Sequence, residues 1–565
     1  MQISKYWYYV KNNEYMSVRT MVIVLLTLLS SNLLAACNEG GSSVADNAVS
    51  ALPSSEMPLG HTGLPEVRKT EILSPGLFYH KILRGVRGTT SPWVLSSGVL
   101  QTEERVRYYI SCANKFAIHY VLREHAYPGH PDRHYNTIQL GSFPDKKQAL
   151  SFLELKGYDR DQSIPIVDED IDPDFINSDA TNKCNFKPLD LARDSTTGYV
   201  SWQISILELD PDTFKGDVKV ALAQGLVAGR QTTTEISQKY QAIAAVNAGF
   251  FTMVDDDGVM GEPAGISIIN GTIESEPTNG RPVLVIQKAS MLKFEVIVPQ
   301  TQMWIQWEDG LKSRIDGINR RPSLIRNCGN SGDKPSDLPY HDRTCSDENE
   351  IIALTAKAGF NVPAEEGYSV YYDMKTRSLY PPKERIPPNS GDLILVGIGQ
   401  GEQELHRRLA NTSKANVRIK ALPEAIFGRL RTQGLYAVNG GPTLFKNGEP
   451  YDRDDLEGWA INKDISEDQA NKMHGWINVR NPRTAVGIQE SGRIFIITID
   501  GRAPGISVGV TIPEMREVMA FLEVQNAINL DGGGSTAMVV HGKLVNRPSD
   551  STGERPVGDA IVILP

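Results

Sequence analysis

Three apolar runs in this chain end in the same way. AIAAV leads into Asn247-Ala248-Gly249-Phe250-Phe251, LYAV into Asn439-Gly440-Gly441-Pro442-Thr443, and AINL into Asp531-Gly532-Gly533-Gly534-Ser535-Thr536. Glycine accepts positive φ and lets backbone approach a ligand closely, and successive N–H groups in such turns form a concavity suited to an anion. The carboxamide or carboxylate ending each run would then supply an oriented polar contact at the rim. Asn-Gly and Asp-Gly are also ordinary turn signals, so a single turn of this kind carries little weight. Three of them, each closing a run apolar enough to be buried, point to one shared site.

Arginines stand near these turns: Arg483 in NPRTAVGI, Arg502 in Asp500-Gly501-Arg502, and Arg555 in GERPVGDAIVIL. The planar guanidinium suits bidentate recognition of a phosphate or carboxylate. The chain as a whole carries 58 basic against 68 acidic side chains, a net charge of -10. That balance argues against nucleic acid as a partner held by bulk charge. A phosphate must therefore be handled by a few local groups.

The elements that position these groups read as strands. With 565 residues, 40% of them hydrophobic, there is ample material for a core, and the length suits roughly three to four domains. From about residue 197 to 565, short runs such as YVSWQISILEL, VKVALAQGL, GISIINGTIE, PVLVI, LKFEVIV, DLILVGIG, RIFIITID and AIVILP alternate with turns and few helices. This predicts a strand-rich α+β domain. The clearest helix spans Thr511 to Val524, with Thr511 and Glu514 as a capping box and Met515, Val518, Met519 and Leu522 as its buried stripe.

The N-terminal region is of another kind. Met21 to Ala36 is an apolar run too short for a membrane span and reads as a signal-peptide core. Leu34-Ala35-Ala36-Cys37 resembles a bacterial lipobox, which implies lipidation of Cys37 and a place in the cell envelope; Asn38 after it fits the outer membrane, facing the periplasm. Residues 38–65 read as a flexible tether, 66–168 as a small α+β domain, and 169–196 as an acidic linker. Within the small domain, Tyr135 to Tyr158 changes from strand to helical spacing. It resembles half of a sporulation-related repeat, which implies peptidoglycan as a partner. His119, His125, His130 and His134 lie around Pro128-Gly129 and read as a solvated loop rather than a zinc site. Setting Cys37 aside leaves an even number of cysteines, for which locality favours Cys328 with Cys345 and Cys112 with Cys184, free buried thiols being the alternative.

NAGFF from Asn247, GEPAGISIINGTI from Gly261, IDGINRRP from Ile315, VNGGPTLFKNGE from Val438, RTAVGI from Arg483, IDGR from Ile499 and INLDGGGSTAMVVHGKLVNRPSD with ERPVGDAIVIL resemble the phosphodiester glycosidase family. The resemblance runs over about 197–565. It implies hydrolysis of a sugar-1-phosphodiester at the sugar carbon, releasing a reducing sugar and a phosphomonoester. Such chemistry ordinarily uses two carboxyl groups. A phosphate already leaves well, so stabilising the departing anion becomes the larger task. On this basis Asp531, with either Asp500 or Glu262, supplies the carboxylates. Arg483, Arg502, Arg555 and the Gly532, Gly533, Gly534, Ser535 turn hold phosphate. Asn247, Gly249, Asn439 and Gly440 bind sugar hydroxyls or orient a carboxylate. The expected partner is a glycan or sugar phosphodiester of the envelope. No cofactor is certain on the residues alone, a divalent cation at Asp255-Asp256-Asp257 being the open alternative, although that triplet lacks EF-hand spacing. Two other functions stay open on the residues alone: a non-catalytic glycan-binding lipoprotein, and a metal-dependent phosphodiesterase cutting the P–O bond.

Overall fold

A computed structural model describes residues 49–88, 92–115, 117–155, 190–193, 200–288, 291–336, 338–362, 366–381, 392–428, 430, 433–459 and 466–565. The expected signal segment with Cys37, most of the acidic linker and Cys184 lie outside the described residues. The described chain is α+β with most of its order in sheets.

The central element is an eight-stranded antiparallel sheet. Its order is Glu66–Ser74, Leu77–Gly85, Ser201–Leu209, Ile494–Ile499, Arg483–Gln489, Val524–Asn529, Thr443–Lys446 and Glu449–Pro450. Every residue of Ile494–Ile499 is buried, which explains why IFIITI reads as an unbroken apolar run rather than an alternating one. One five-stranded sheet carries Lys543–Leu544, Met538–Val540, Ala244–Asn247, Asp559–Leu564 and Asp217–Leu222. A second carries Thr272–Ser275, Ser267–Ile269, Leu435–Asn439, Val283–Lys288 and Leu292–Ile297. The three sheets share one core, to which Leu207, Val246, Val438, Val486, Ile528 and Ile561 all belong. Each such side chain contributes about 1.5–3 kcal/mol on burial, against about 1 kcal/mol for a typical net hydrogen bond. Packing therefore sets which strand ends meet, and polar contacts refine it.

The other face of the central sheet is covered by the helix Ile512–Phe521. Thr511 and Glu514 form the expected capping box, and Met515, Val518 and Met519 face inward. The helix stops short of Val524, which instead opens the strand Val524–Asn529.

Trp93–Ser96, Glu103–Lys115, Tyr120–Tyr127, His130–Phe143, Lys146–Leu155 and Asp190–Arg193 form a separate layer in β-α-β-β-α-β order. Its antiparallel sheet runs Tyr120–Tyr127, His130–Phe143, Trp93–Ser96, Asp190–Arg193, the split arrangement of ferredoxin-like domains. Its core includes Leu95, Tyr109, Cys112, Ile138 and Leu140.

Several boundaries differ from the sequence reading. Glu66–Gly85 belongs to the large sheet, not the small domain, because its partner across the ladder is Ser201–Leu209. The expected tether is packed from its described start: Met57, Leu59 and Leu64 lie in the main core, and Ala51 N donates to Glu208 Oε1 at 2.6 Å. Asp190–Arg193, expected as linker, pairs with Trp93–Ser96. The histidine-rich stretch is a hairpin rather than a loop, since Pro128-Gly129 sits at its turn, with Gly129 at φ 73°, instead of breaking a strand. Cys328 and Cys345 form a disulfide with Cα atoms 5.5 Å apart. Cys112 is disulfide-bonded, and its expected partner Cys184 lies outside the described residues.

The small domain docks on the helix Glu467–Ile477 through buried polar contacts. Val99 N donates to Asn471 Oδ1 at 2.7 Å, and Asn478 Nδ2 donates to the Tyr135 hydroxyl at 2.7 Å, leaving that hydroxyl's proton for His474 Nδ1 at 2.9 Å. Burial pushes His474 down to about 3, so it stays neutral and able to accept. Tyr135→Phe strands both partners. It is expected to cost about 1–3 kcal/mol and to lower the thermal midpoint in scanning calorimetry; an unchanged midpoint would remove the docking role assigned to this contact.

Candidate active site

The three glycine-bearing turns meet, and each comes from a different sheet. Asn247 closes Ala244–Asn247, Asn439 closes Leu435–Asn439, and Asp531 follows Val524–Asn529. Asn247 is fully buried and spent on the backbone and on Thr484: Nδ2 donates to Asp531 O at 2.7 Å, while Oδ1 accepts from Thr484 Oγ1 at 2.8 Å and Ala537 N at 3.1 Å. Asp531 N in turn donates to Ala248 O at 3.0 Å. Asn439 clamps Phe250 on both sides, Oδ1 accepting from its N–H at 3.0 Å and Nδ2 donating to its carbonyl at 3.1 Å. Of the two roles expected for Asn247, holding a carboxylate residue in place is the one its contacts serve.

The Gly532–Ser535 turn lies under arginines. Arg555 makes a two-pronged pair with Asp550 at 2.8 and 3.0 Å, and its Nη1 stands 3.5 Å from Ser535 Oγ. A Cβ on Gly534 would stand 2.1 Å from Arg555 Nη2 and 2.3 Å from Asp550 Oδ1, so this position has no room for a side chain. Arg502 is exposed, donates to Asn481 Oδ1 at 2.8 and 3.1 Å, and lies against Gly533. It meets no carboxylate among the described residues. Its guanidinium is nonetheless partly shielded from water by the surrounding chain, and that shielding, followed by the nearby Arg555, lowers its pKa against the opposing pull of Asp550.

Arg483 is buried. Its guanidinium donates to Val510 O at 3.1 Å and to the carbonyls of Trp476 and Val479, closing the end of the helix Glu467–Ile477. Burial, and secondarily Arg502, bring it down to about 9. It stands behind Arg502 and supports the wall of the site.

The expected carboxylates divide. Asp531 is half-buried, and burial pushes it up to about 7 despite Ser535, Arg555 and the Gly532 N–H, the last donating to Oδ1 at 2.8 Å. Asp500 is buried and fully engaged: it accepts from Gln203 Nε2 at 2.7 Å, Asn546 Nδ2 at 3.1 Å and Arg547 N at 2.9 Å, and it does not brace Arg502. Glu262, raised by burial to about 8, accepts from Val259 N at 3.0 Å and Thr252 Oγ1 at 3.3 Å, with Glu276 and Arg320 as its charged neighbours. None of the strand-end residues is among its partners. Asp257 is engaged by Arg326 and Thr344, and no group of three His, Cys, Asp or Glu side chains among the described residues is disposed to hold a metal ion.

The sequence reading missed Asp559. It is buried, raised to about 6 by burial, accepts from Gly249 N at 2.8 Å through Oδ1, and has no partner for Oδ2 among the described residues. Its charge adds to the burial that raises Asp531, and the two residues hold neighbouring backbone, Asp559 at Gly249 N and Asp531 at Ala248 O. An acid opening the otherwise apolar run DAIVIL was the signal available. Also missed was an aromatic wall: His341 stacks on Trp459 at 4.5 Å and meets Phe250 at 4.7 Å and Trp476 at 4.5 Å edge-on, with Arg281 4.4 Å above Trp459. These residues are far apart in sequence, and no spacing announces them.

A strand-rich domain whose Gly-rich strand ends gather arginines and a carboxyl pair is the class of protein that fold and site define. Residues 364–564 match the family model described as phosphodiester glycosidase, so this stretch is a phosphodiester glycosidase domain. It carries Asn439, Arg483, Arg502, Asp531, Arg555 and Asp559, while residues 200–363 supply strands to the same sheets. The N-acetylglucosamine-1-phosphodiester alpha-N-acetylglucosaminidase of Mus musculus is 35% identical over 113 residues, 20% of this chain and 21% of that protein. An uncharacterised SPbeta prophage-derived protein of Bacillus subtilis is 39% identical over 107 residues, 19% of this chain and 16% of its own length. The chain thus spans about a fifth of the length of the curated relatives it matches. The crystal structure of a protein from Burkholderia pseudomallei described as exported superimposes with a TM-score of 0.73 at 24% identity, covering 91% of this chain and 99% of that one, which shows a shared fold.

Two outcomes follow. Glu262 has an ordinary value of 4.5 and a folded value of about 8, so the unfolded chain ionises first and the native state loses stability as pH rises between them. Glu262→Gln is expected to gain thermal midpoint over the parent at pH 8 and little at pH 5, measured side by side in scanning calorimetry. Asp559→Asn removes a charge that raises Asp531 and is expected to move the Asp531 titration, followed by carboxyl NMR or by a pH–rate limb, to lower pH.

Proposed function

We propose that this chain is a hydrolase that cleaves the sugar C–O bond of a sugar-1-phosphodiester. The observation that carries the reading is the Gly532–Ser535 turn, where Arg502 and Arg555 face backbone bared of side chains beside Asp531. Water adds its oxygen to the anomeric carbon, the C1–O bond breaks, its electron pair stays on the phosphate oxygen, and the water proton is taken up by a carboxylate or by the product phosphate. Arg502 and Arg555 stabilise the charge that grows on the departing phosphate. Asp531, near 7, holds or releases a proton at neutral pH, as acid–base catalysis needs. Burial keeps Asp531 high, and Asp559, which accepts from Gly249 N, adds to that effect.

The family match and the likeness to the N-acetylglucosaminidase above support a sugar phosphodiester of N-acetylglucosaminyl type, and the export pattern around Cys37 supports an envelope glycan met by a lipid-anchored enzyme facing the periplasm. The strand-helix half-repeat near Ser142 supports peptidoglycan as the surface that the small domain meets.

Hydrolysis of an α-N-acetylglucosaminyl phosphodiester in ¹⁸O water is expected to put the label in the sugar; label in the phosphate means P–O cleavage and sinks the mechanism. Asp531→Asn is expected to lower kcat by about 10²–10⁴. Unchanged turnover in that variant would remove Asp531 from the chemistry.

A further inference from the structure

Beside the arginine-faced turn the surface changes character. The segment following Asn247-Ala248-Gly249-Phe250-Phe251 exposes Met253 at 44%, Val254 at 49% and Met260 at 36%. Single exposed apolar side chains are normal on a protein surface; three within one loop at a charged site are not scattered. The same loop is tied to guanidinium groups. Arg230 donates through Nη1 to Met253 O at 3.3 Å and through Nη2 lies 3.2 Å from Met260 Sδ, and it meets no carboxylate among the described residues. Arg555 Nη1 stands 3.8 Å from Met253 Sδ and 3.5 Å from Ser535 Oγ. Gln231 pairs with Val557 through N–H···O bonds of 3.1 and 2.8 Å, which sets Arg230 next to the strand end that carries Arg555. Met253 therefore lies between two guanidinium groups, one of them over the Gly532–Ser535 turn, and a third, Arg502, lies against Gly533 of the same turn.

The loop also exposes Asp255 and Asp256, so the positive charge is confined to the three guanidinium groups, and the flexible apolar side chains lie at their edge, complementary to an anion bearing an apolar tail. Methionine is suited to such a tail, because an unbranched thioether adapts its shape to what it covers. Resting on the hydrolase reading above, we propose that the second substituent of the substrate phosphate, on the side opposite the sugar, is an alkyl or lipid chain. It would lie on Met253, Val254 and Met260 while Arg230, Arg502 and Arg555 hold the phosphate. The product released would then be an alkyl phosphate monoester together with a reducing sugar.

The test uses the full chain and two diesters, α-N-acetylglucosaminyl methyl phosphate and α-N-acetylglucosaminyl hexyl phosphate. A methylene that leaves water for an apolar surface is worth about fourfold in affinity when fully buried. A hexyl chain half covered by the methionine edge is therefore expected to raise kcat/KM about tenfold or more over methyl. Met253→Gln with Met260→Gln is expected to bring that ratio towards one. Equal kcat/KM for the two diesters in the parent, or a ratio unchanged in the double variant, overturns the proposal. Calorimetric binding of hexyl phosphate against methyl phosphate gives a readout independent of turnover, with the same tenfold preference expected in the parent and lost in the double variant. Hydrolysis of neither diester overturns the hydrolase reading, and the binding ratio then decides the surface alone: equal affinities overturn it.

Discussion

Buried asparagines hold this protein's site together. A β-strand that ends in the interior leaves backbone groups without ladder partners, and such groups are costly unless something replaces the missing bonds. Asn247, Asn439 and Asn529 supply the replacement. Each carries a carboxamide that imitates a peptide group, and each reaches across to a different chain segment: Asn247 to Asp531 O, Asn439 to both sides of Phe250, and Asn529 Nδ2 to Gly441 O at 3.0 Å and Leu530 O at 2.8 Å. The glycines beside them are required by this closeness. At Gly441, with φ 125°, a Cβ would stand 2.4 Å from the Trp459 ring. The three-sheet core brings the ends near one another, and the carboxamides set their register.

The electrostatics follow from the same crowding. Withdrawing Asp531 and Asp559 from water raises both carboxyls, and their mutual repulsion adds to the effect on Asp531. On the open side, Arg502 and Arg230 bring charge without a direct carboxylate contact among the described residues, Asp550 compensating Arg502 only in part, whereas Arg555 is held by Asp550. An acidic chain thus presents a locally cationic patch. An anion placed there would gain from charges already arranged, with little reorganisation to make.

Structure beyond the three turns contributes to this arrangement. At the end of the helix Glu467–Ile477 the Trp476 carbonyl accepts from Arg483 and the Trp476 ring joins the aromatic wall, while Asn471, His474 and the following Asn478 receive the small domain. The loop closed by Cys328 and Cys345 places His341 against Trp459. His341 has no partner for either ring nitrogen among the described residues, and burial lowers its pKa, so it packs as a neutral ring.

What the sequence by itself determined was local. Runs such as IFIITI and the Thr511–Glu514 capping box specify a strand and a helix start through side-chain burial and nearest-neighbour hydrogen bonds, and the repeated glycine-bearing endings marked where chain segments would come close together. Arg502, Arg555 and Asp531 stand out in the sequence because they lie near those glycines, and the fold places all three at the Gly532–Ser535 turn. The tertiary structure decided the rest. Asp500 and Glu262 carry the same carboxyl chemistry in sequence, yet Asp500 is consumed by Gln203, Asn546 and Arg547, and Glu262 by Val259 and Thr252. Asp559 becomes a partner of Asp531 through burial and proximity, and Glu66–Gly85 joins the large sheet through a ladder to residues more than a hundred positions away. Long-range packing makes these choices, because burial and pairing depend on which segments share a core, and that information is spread over the whole chain rather than held in any one stretch of it.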